Sequence, residues 1–245
     1  LPAQLTVTGD YTNNGTTTSN GWLWEEMVAV DAYQEGPLAY GAGIFVQLNF
    51  DQVFISEDGL SWATTSIPVG ALWSDVVYGD GRFVAVCEDY FVGEDAYLCD
   101  FTLFSVDGIT WATSSVVEAN SWTSVTYGNG LFVAVSYDGT NRVMTSSDGL
   151  DWVPRSVLGD DDSWTSVTYG NGLFVAAGIG DGLGVGDVIM TSPDGVTWTA
   201  RDDNNIVANN CCIGLRGSYG NGIFILGNRF SNDLLISADG MDWTT

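Results

Sequence analysis

The side chains that could do chemistry in this sequence are 31 carboxylates, six basic groups and four cysteines, and histidine is absent. All six basic residues are arginines, at positions 82, 142, 155, 201, 216 and 229. Without imidazole, the usual general base and metal ligand are missing, which excludes Ser-His-Asp and Cys-His nucleophilic sites. The sequence therefore predicts no catalytic residue, and the protein is expected not to be an enzyme.

The four cysteines are interpreted as disulfide candidates: Cys87, Cys99, Cys211 and Cys212. Cys87 ends one apolar strand-like run and Cys99 precedes the next, so a bridge between them would close the acidic loop that intervenes. The adjacent Cys211 and Cys212 are then left as a vicinal disulfide, as free thiols, or as a link between subunits. Four cysteines allow three pairings, and their spacing is not that of a zinc site. Disulfides favour an oxidising, extracellular compartment, where Asn14 would be a glycosylation candidate.

The net charge of −25 narrows the choice of partners. A surface this acidic repels nucleic acid phosphates and anionic membranes, and no apolar run approaches the ~20 residues of a membrane helix. No cofactor or metal is predicted with a defined site. Ca²⁺ could bind carboxylates in three irregular insertions, although none has EF-hand spacing: Glu88–Asp100, Gly178–Asp187 and Asp202–Cys212.

A five-fold repeat dominates the sequence. Residues 121–134 recur at 163–176, and weaker copies extend the series. The repeat anchors are Tyr40, Tyr78, Tyr127, Tyr169 and Tyr219. Each anchor is followed by a Ser-x-Asp-Gly-x-x-Trp signature, whose last residues are Trp62, Trp111, Trp152, Trp198 and Trp243. Five linked copies of two motifs indicate a repeat architecture.

Each repeat has the pattern of four short strands. Residues 122–127 alternate in polarity, Gly128-Asn129-Gly130 suits a tight hairpin, and Leu131 begins an apolar run. Antiparallel units of roughly 45 residues match the blades of a propeller. The sequence therefore predicts an all-β, five-bladed β-propeller with four-stranded antiparallel blades.

The second signature resembles the Asp-box of sialidase-like (BNR) propellers, Ser-x-Asp-x-Gly-x-Thr-Trp, with one residue fewer between Asp and Gly. This resemblance covers about residues 38–245. It implies a hairpin between the third and fourth strands, in which the aspartate accepts hydrogen bonds from turn amides and the tryptophan packs between blades. The aspartates in that role are Asp58, Asp107, Asp148, Asp194 and Asp239. Because five equivalent aspartates cannot all be one catalytic acid, they are interpreted as structural.

Two domains are predicted. Residues 1–20 form an N-terminal strand and a Thr/Asn/Gly-rich linker, and residues 21–245 form the propeller. The fifth repeat stops at Thr245, so its blade is expected to lack part of an outer strand. The N-terminal strand could complete this blade within one chain, or it could pair with a neighbouring subunit.

Three functions are compatible with these features. The favoured one is a non-catalytic structural or adhesive module at the cell surface, whose partner is itself, as a homo-oligomer or filament. The second is a multivalent, lectin-like propeller that binds surface glycans. The least favoured is a sialidase-like glycosidase, since the sequence shows no cluster of arginines for the substrate carboxylate.

Overall fold

A computed structural model describes residues 36–92, 95–157, 162–180, 187–201, 215–228 and 234–244, and the side chains of residues 91–97, 187 and 228 are not described. Residues 36–245 form one compact unit. Its strands are β1 (Leu38–Gly41), β2 (Ile44–Asn49), β3 (Gln52–Ser56), β4 (Ala63–Ser66), β5 (Leu72–Gly79), β6 (Arg82–Glu88), β7 (Tyr90–Val92), β8 (Asp95–Tyr97), β9 (Phe101–Ser105), β10 (Ala112–Ser115), β11 (Trp122–Gly128), β12 (Leu131–Ser136), β13 (Val143–Ser146), β14 (Val153–Arg155), β15 (Ser163–Gly170), β16 (Leu173–Ile179), β17 (Asp187–Ser192), β18 (Thr199–Arg201), β19 (Leu215–Gly220), β20 (Ile223–Asn228) and β21 (Leu234–Ser237).

Nineteen of the described strands form five antiparallel sheets that follow the five repeats, which confirms the all-β, five-bladed propeller. Four blades have four strands in the order β1-β2-β3-β4, β5-β6-β9-β10, β11-β12-β13-β14 and β15-β16-β17-β18. The fifth contains β19-β20-β21, and an antiparallel bridge from Ile236 to Thr244 stands where its fourth strand would begin. The β7-β8 hairpin lies in the insertion of the second blade. No helix in the described ranges is long and apolar enough to span a membrane.

Tight turns join the first two strands of every blade. Each turn has a positive-φ residue followed by a positive-φ glycine, as in Asn129 (φ 50°) and Gly130 (φ 75°). Two successive positive φ values define the type I′ turn, whose twist matches that of paired strands. The Tyr-Gly-Asn-Gly motif is therefore the hairpin of a blade.

The core lies between neighbouring blades. The first strands of consecutive blades, β1, β5, β11, β15 and β19, lie side by side. The second strand of each blade carries a phenylalanine that is fully buried in blades two to five, at Phe83, Phe132, Phe174 and Phe224. In blades two to four this second strand is covered on both faces, which explains its continuous apolar sequence.

Several predictions fall on residues that are not described. These are the strand and linker of residues 1–20, the glycosylation candidate Asn14, and the pair Cys211 and Cys212. The domain boundary at residue 20 and the completion of the fifth blade by the N-terminal strand stay predictions.

Candidate functional site

The five Ser-x-Asp-Gly-x-x-Trp segments form equivalent turns between the third and fourth strands. In the fourth blade, the Asp194 Oδ1 atom accepts hydrogen bonds from the amides of Val196 (2.9 Å) and Thr197 (2.7 Å), and from the Ser192 hydroxyl (2.9 Å). These amides, Thr197 first, lower the pKa of Asp194 to about 2. Turn amides also lower the pKa of Asp58, Asp107, Asp148 and Asp239. All five carboxylates therefore act as hydrogen-bond acceptors within their own turns.

The tryptophans of these turns pack inside the blades. The Nε1 group of Trp198 donates to the Gly195 carbonyl at 3.1 Å, and that of Trp152 crosses to the Thr102 hydroxyl of the preceding blade at 3.2 Å. Trp62 is half-buried, whereas four are buried: Trp111, Trp152, Trp198 and Trp243.

A different set of polar groups links the first strands. The backbone register shifts in β5, β11 and β15 next to Asp75, Ser124 and Ser166. The Asp75 Oδ2 atom accepts hydrogen bonds from the amide of Val125 (2.9 Å) and from the Ser124 hydroxyl (2.8 Å). Each of these three side chains therefore accepts an amide of the next blade.

The two serines continue the same pattern. Ser124 Oγ accepts from the Val167 amide at 3.2 Å, and Ser166 Oγ accepts from the Gly217 amide at 2.8 Å. Asp75 is the charged member of this series, since the other two positions hold serine. Burial raises the pKa of the Asp75 carboxyl, although its hydrogen bonds and the charge of Arg216 oppose the shift.

Arg216 is the cation of this region. It stands on β19, and its Nη1 group donates to the carbonyls of Thr165 (3.2 Å) and Thr123 (3.4 Å), which belong to two preceding blades. Its charge acts on both Asp75 and Glu88. Arg216 thus joins the first strands of three blades to the nearby acidic groups.

Glu88, at the end of β6, lines a cavity of about 360 Å³ between the first and second blades. Burial raises the pKa of the Glu88 carboxyl; the positive charge of Arg216 opposes this shift, and the negative charge of Asp138 adds to it. The cavity is lined by Val69, Gly70, Ala71, Cys87, Glu88, Tyr90, Leu98, Cys99, Asp100 and Phe101.

The cavity wall is held by covalent and polar links. The predicted Cys87–Cys99 disulfide is confirmed, with the two Cα atoms 5.7 Å apart. The Asp89 Oδ1 atom accepts a hydrogen bond from the Cys99 amide at 2.6 Å, and the Asp89 amide donates to the Ser121 hydroxyl at 3.3 Å. The Tyr90 ring meets Phe50 edge to face, at 5.8 Å between centroids. The insertion Glu88–Asp100, one of three in which Ca²⁺ binding was only a possibility, thus builds a cavity wall.

Two weaker possibilities, a Ca²⁺ site and a cluster of arginines, find no support among the described residues. No group of three or more His, Cys, Asp or Glu side chains that could hold a metal ion occurs among the described residues. The described arginines have separate surroundings: the charge of Arg82 acts on Asp148, Arg155 and Arg201 donate to threonines of their own blades, Arg142 donates to the Gly139 and Asp162 carbonyls, and Arg216 donates to the Thr165 and Thr123 carbonyls.

The sequence did not predict that Glu88, Asp75 and Arg216 lie close to one another. The signal for Asp75 was present, because residues 73–79 read Trp-Ser-Asp-Val-Val-Tyr-Gly where the duplicated repeats have serine in place of the aspartate. No signal in the chain order brings Arg216 close to Glu88, which is 128 positions away.

Comparisons with known proteins identify solved structures with a similar fold. No protein-family model matches the chain, and no curated protein matches it. Among solved structures, it is similar to the GH74 xyloglucanase of Xanthomonas campestris, with a TM-score of 0.57 at 13% identity, over 85% of this chain and 37% of that one. It also matches GH43B of the Bacteroides ovatus xyloglucan PUL, with a TM-score of 0.44 at 16% identity, over 78% of this chain and 47% of that one. The chain spans less than half the length of either protein.

These comparisons correct the functional prediction. The predictions of a non-catalytic structural or adhesive module and of a protein that is not an enzyme are both wrong, because a solved structure that this chain resembles in fold, at a TM-score of 0.57, is a xyloglucanase. The prediction was wrong because it treated histidine as a requirement for catalysis. Glycoside hydrolysis needs two carboxyl groups and no imidazole, so the lack of histidine does not exclude it. What the likeness shows for this chain is the propeller fold.

Proposed function

We propose that this protein acts on a neutral polysaccharide, which binds in the Glu88 cavity and is cleaved with the Glu88 carboxyl as proton donor. The observation that carries the proposal is a half-buried carboxyl group with a raised pKa in the wall of a cavity of about 360 Å³. A perturbed titratable group in a cleft is the usual sign of a site.

The cavity lining suits a sugar ring. Phe101 and Tyr90 offer aromatic surface, and Leu98, which is more than half exposed, adds an apolar edge. Sugar C–H groups pack on such surfaces, while the carboxyl groups of Glu88 and Asp100 can bind hydroxyls. The Cys87–Cys99 disulfide fixes the two chain segments that present these side chains.

The chemistry requires an acid and a base. Glu88, whose pKa is raised by burial, is the proposed acid, and its proton passes to the glycosidic oxygen as the bond to the anomeric carbon breaks. Asp100 lines the same cavity and serves as the base. It takes a proton from the water whose oxygen bonds to the anomeric carbon, and solvent returns that proton to Glu88. One water is consumed, and one hemiacetal and one hydroxyl are formed.

Charge determines the class of substrate. The chain carries a net charge of −25, and Glu88, Asp89, Asp100 and Asp138 lie near the cavity. Anionic glycans would be repelled, so the substrate is a neutral polysaccharide. Xyloglucan is the first to test, since the Xanthomonas campestris relative in fold is a xyloglucanase.

The same proposal covers the finer assignments. The five turns are inferred to be degenerate Asp boxes, because each aspartate accepts turn amides as that resemblance implies. An extracellular location is inferred from the disulfide, which persists in oxidising compartments. The proposed partners are therefore polysaccharides outside the cell.

The test is a panel of neutral polysaccharides, led by xyloglucan, with new reducing ends and chromatographic products as the readout. Glu88→Gln should remove the proton donor and lower the rate of release by about 10²–10⁴-fold, while glycan retardation in affinity gels is retained. Glu57→Gln is the matched control, because Glu57 is an exposed glutamate in a turn of the first blade.

Two results would overturn the proposal. One is the absence of both product release and gel retardation across the panel. The other is full activity in Glu88→Gln, which would exclude Glu88 as the acid.

A further inference from the structure

One position of the first strand carries a different kind of residue in different blades. It lies three residues before each repeat-anchor tyrosine, and in chain order it holds Pro37, Asp75, Ser124, Ser166 and Arg216. Asp75, Ser124 and Ser166 each accept an amide hydrogen bond from the next blade. The Arg216 side chain has no acceptor atom, so the fifth blade does not continue this series of links. Arg216 must therefore have another role.

The Arg216 side chain points toward the propeller axis. The first strands β11, β15 and β19 lie side by side, with β15 between the other two. From β19, the Arg216 Nη1 group reaches the Thr165 carbonyl on β15 (3.2 Å) and also the Thr123 carbonyl on β11 (3.4 Å). A side chain passes one strand and reaches the next on the side where the strands converge, which in a propeller is the central channel. Arg216 therefore faces this channel.

The Arg216 guanidinium has donors that no described residue uses. Both of its hydrogen bonds use Nη1, so Nε and Nη2 have no partner in the part of the chain that the structure describes. Arg216 is also exposed, whereas the other described arginines are half-buried: Arg82, Arg142, Arg155 and Arg201. Of the described arginines, Arg216 is thus the best placed to donate hydrogen bonds to a ligand.

These donors lie at the same end of the channel as the Glu88 cavity. The amide of Asp89, the residue after Glu88, donates to the Ser121 hydroxyl at 3.3 Å. Ser121 stands two residues before Thr123, whose carbonyl accepts from Arg216. The start of β11 is therefore contacted from the second blade next to Glu88 and from the fifth blade by Arg216. In agreement with this geometry, the charge of Arg216 opposes the rise in the pKa of Glu88 that burial causes.

We propose that Arg216 is a substrate-binding residue of the Glu88 site, and that its Nε and Nη2 groups donate hydrogen bonds to the hydroxyl oxygens of a second sugar ring. The inference rests on the proposed function and extends the site from the cavity toward the central channel. Hydrogen bonds from a charged donor are about twice as strong as those between neutral groups, so a neutral sugar is a sufficient acceptor. The negative charges of Asp89 and Asp138 nearby disfavour a sugar carboxylate at the same place.

The test measures the binding of xyloglucan, and of the other neutral polysaccharides in the panel, by retardation in affinity gels. Every variant is made in the full chain with Glu88→Gln, so that cleavage does not interfere. Arg216→Met should raise the dissociation constant by about tenfold or more, the effect of losing hydrogen bonds from a charged group. Arg216→Lys should bind with intermediate affinity, because lysine keeps the charge but not the planar arrangement of donors.

Arg155→Met is the matched control. It removes the same charge and also a hydrogen bond, since the Arg155 Nε group donates to the Thr145 hydroxyl at 2.9 Å, but it lies on the outer strand β14. Its retardation should equal that of Glu88→Gln alone. Thermal unfolding of each variant separates a loss of binding from a loss of fold, and Arg216→Lys carries the comparison if Arg216→Met is unstable.

Three results would overturn the inference. Equal retardation of Glu88→Gln with and without the Arg216 substitutions would exclude Arg216 from the site and leave the role of Glu88 intact. Equal weakening by Arg155→Met would assign the effect to net charge. Absence of retardation in Glu88→Gln itself would overturn the proposed function and this inference together.

Discussion

Two sets of carboxyl groups in this propeller are shifted in opposite directions. The aspartates of the five turns accept amide hydrogen bonds at an exposed hairpin, and their pKa values are lowered, for Asp194 to about 2. Asp75 and Glu88 lie among packed first and second strands, where burial raises their pKa values. The chemistry of the side chains is nearly the same, so their surroundings make the difference.

This difference indicates which carboxyl groups could take part in catalysis. A group that occurs once per blade, in one geometry, is part of the scaffold. Asp75 and Glu88 occur where the second blade departs from its neighbours, at a serine position and at the start of an insertion. Departures from the repeat are therefore the better guide to function.

The largest effect is expected for proton donation. Glu88→Gln should lower kcat/KM on the cleaved polysaccharide by about 10²–10⁴-fold, the usual contribution of a general acid. The thermal midpoint should change little, because no described hydrogen bond depends on the Glu88 carboxyl. Asp194→Asn should do the reverse, keeping kcat/KM and lowering the midpoint. Initial rates and thermal unfolding of both variants measure these two effects. Equal losses of kcat/KM in Glu88→Gln and Asp194→Asn would contradict the prediction.

The next effect concerns the cavity wall. Cys87→Ser with Cys99→Ser opens a link between residues 12 positions apart. Loop-closure entropy predicts a loss of about 3 kcal/mol in the free energy of unfolding. Polysaccharide binding should weaken as well, because both cysteines line the cavity. Urea unfolding with and without reductant is the measurement, and reduction of the unmodified protein should reproduce the loss. An unchanged midpoint would contradict the role given to this loop.

A smaller effect is expected at Asp75. Asp75 Oδ2 accepts hydrogen bonds from the Val125 amide and the Ser124 hydroxyl. Asp75→Asn replaces one carboxylate oxygen with an NH₂ group, so the side chain either has one acceptor fewer or turns a donor toward these two groups. We expect a loss of about 1–3 kcal/mol in the free energy of unfolding, the range for an unmet buried polar group. Ser166→Ala, which removes one such contact with the Gly217 amide, is the milder comparison and should cost less. Denaturant titration ranks the two variants.

The smallest effect is expected for the turns, and it depends on pH. The folded-state pKa of Asp194 is about 2, against an ordinary value of 3.8. The stabilisation by its ionised form is therefore complete above pH 3.8 and is lost as pH falls through about 2. Because this carboxylate is solvent-exposed, Asp194→Asn should cost only about 1 kcal/mol at pH 7, and less at pH 2. Urea unfolding at several pH values tests the sign, since a cost that grew on acidification would contradict it.

Much of the fold was predictable because its determinants are local. The alternation in residues 122–127 and the Asn129-Gly130 turn indicate hairpins, and five copies indicate five blades. The Cys87–Cys99 bridge followed from the two strands that flank it. The site was not predictable, because Glu88, Asp75 and Arg216 come together only when blades two and five are placed around one axis. Histidine content was a misleading criterion, since carboxyl groups alone can hydrolyse glycosides.

The most direct test of the opposite shifts is a ¹³C NMR titration of the side-chain carboxyl groups between pH 2 and 8. Resonances would be assigned by their loss in Glu88→Gln and Asp194→Asn. The account predicts that Glu88 titrates above the ordinary glutamate value of 4.5 and Asp194 near 2. Titration of Glu88 at or below 4.5 would contradict it, because the group that is proposed to hold a proton would then be ionised like any exposed glutamate.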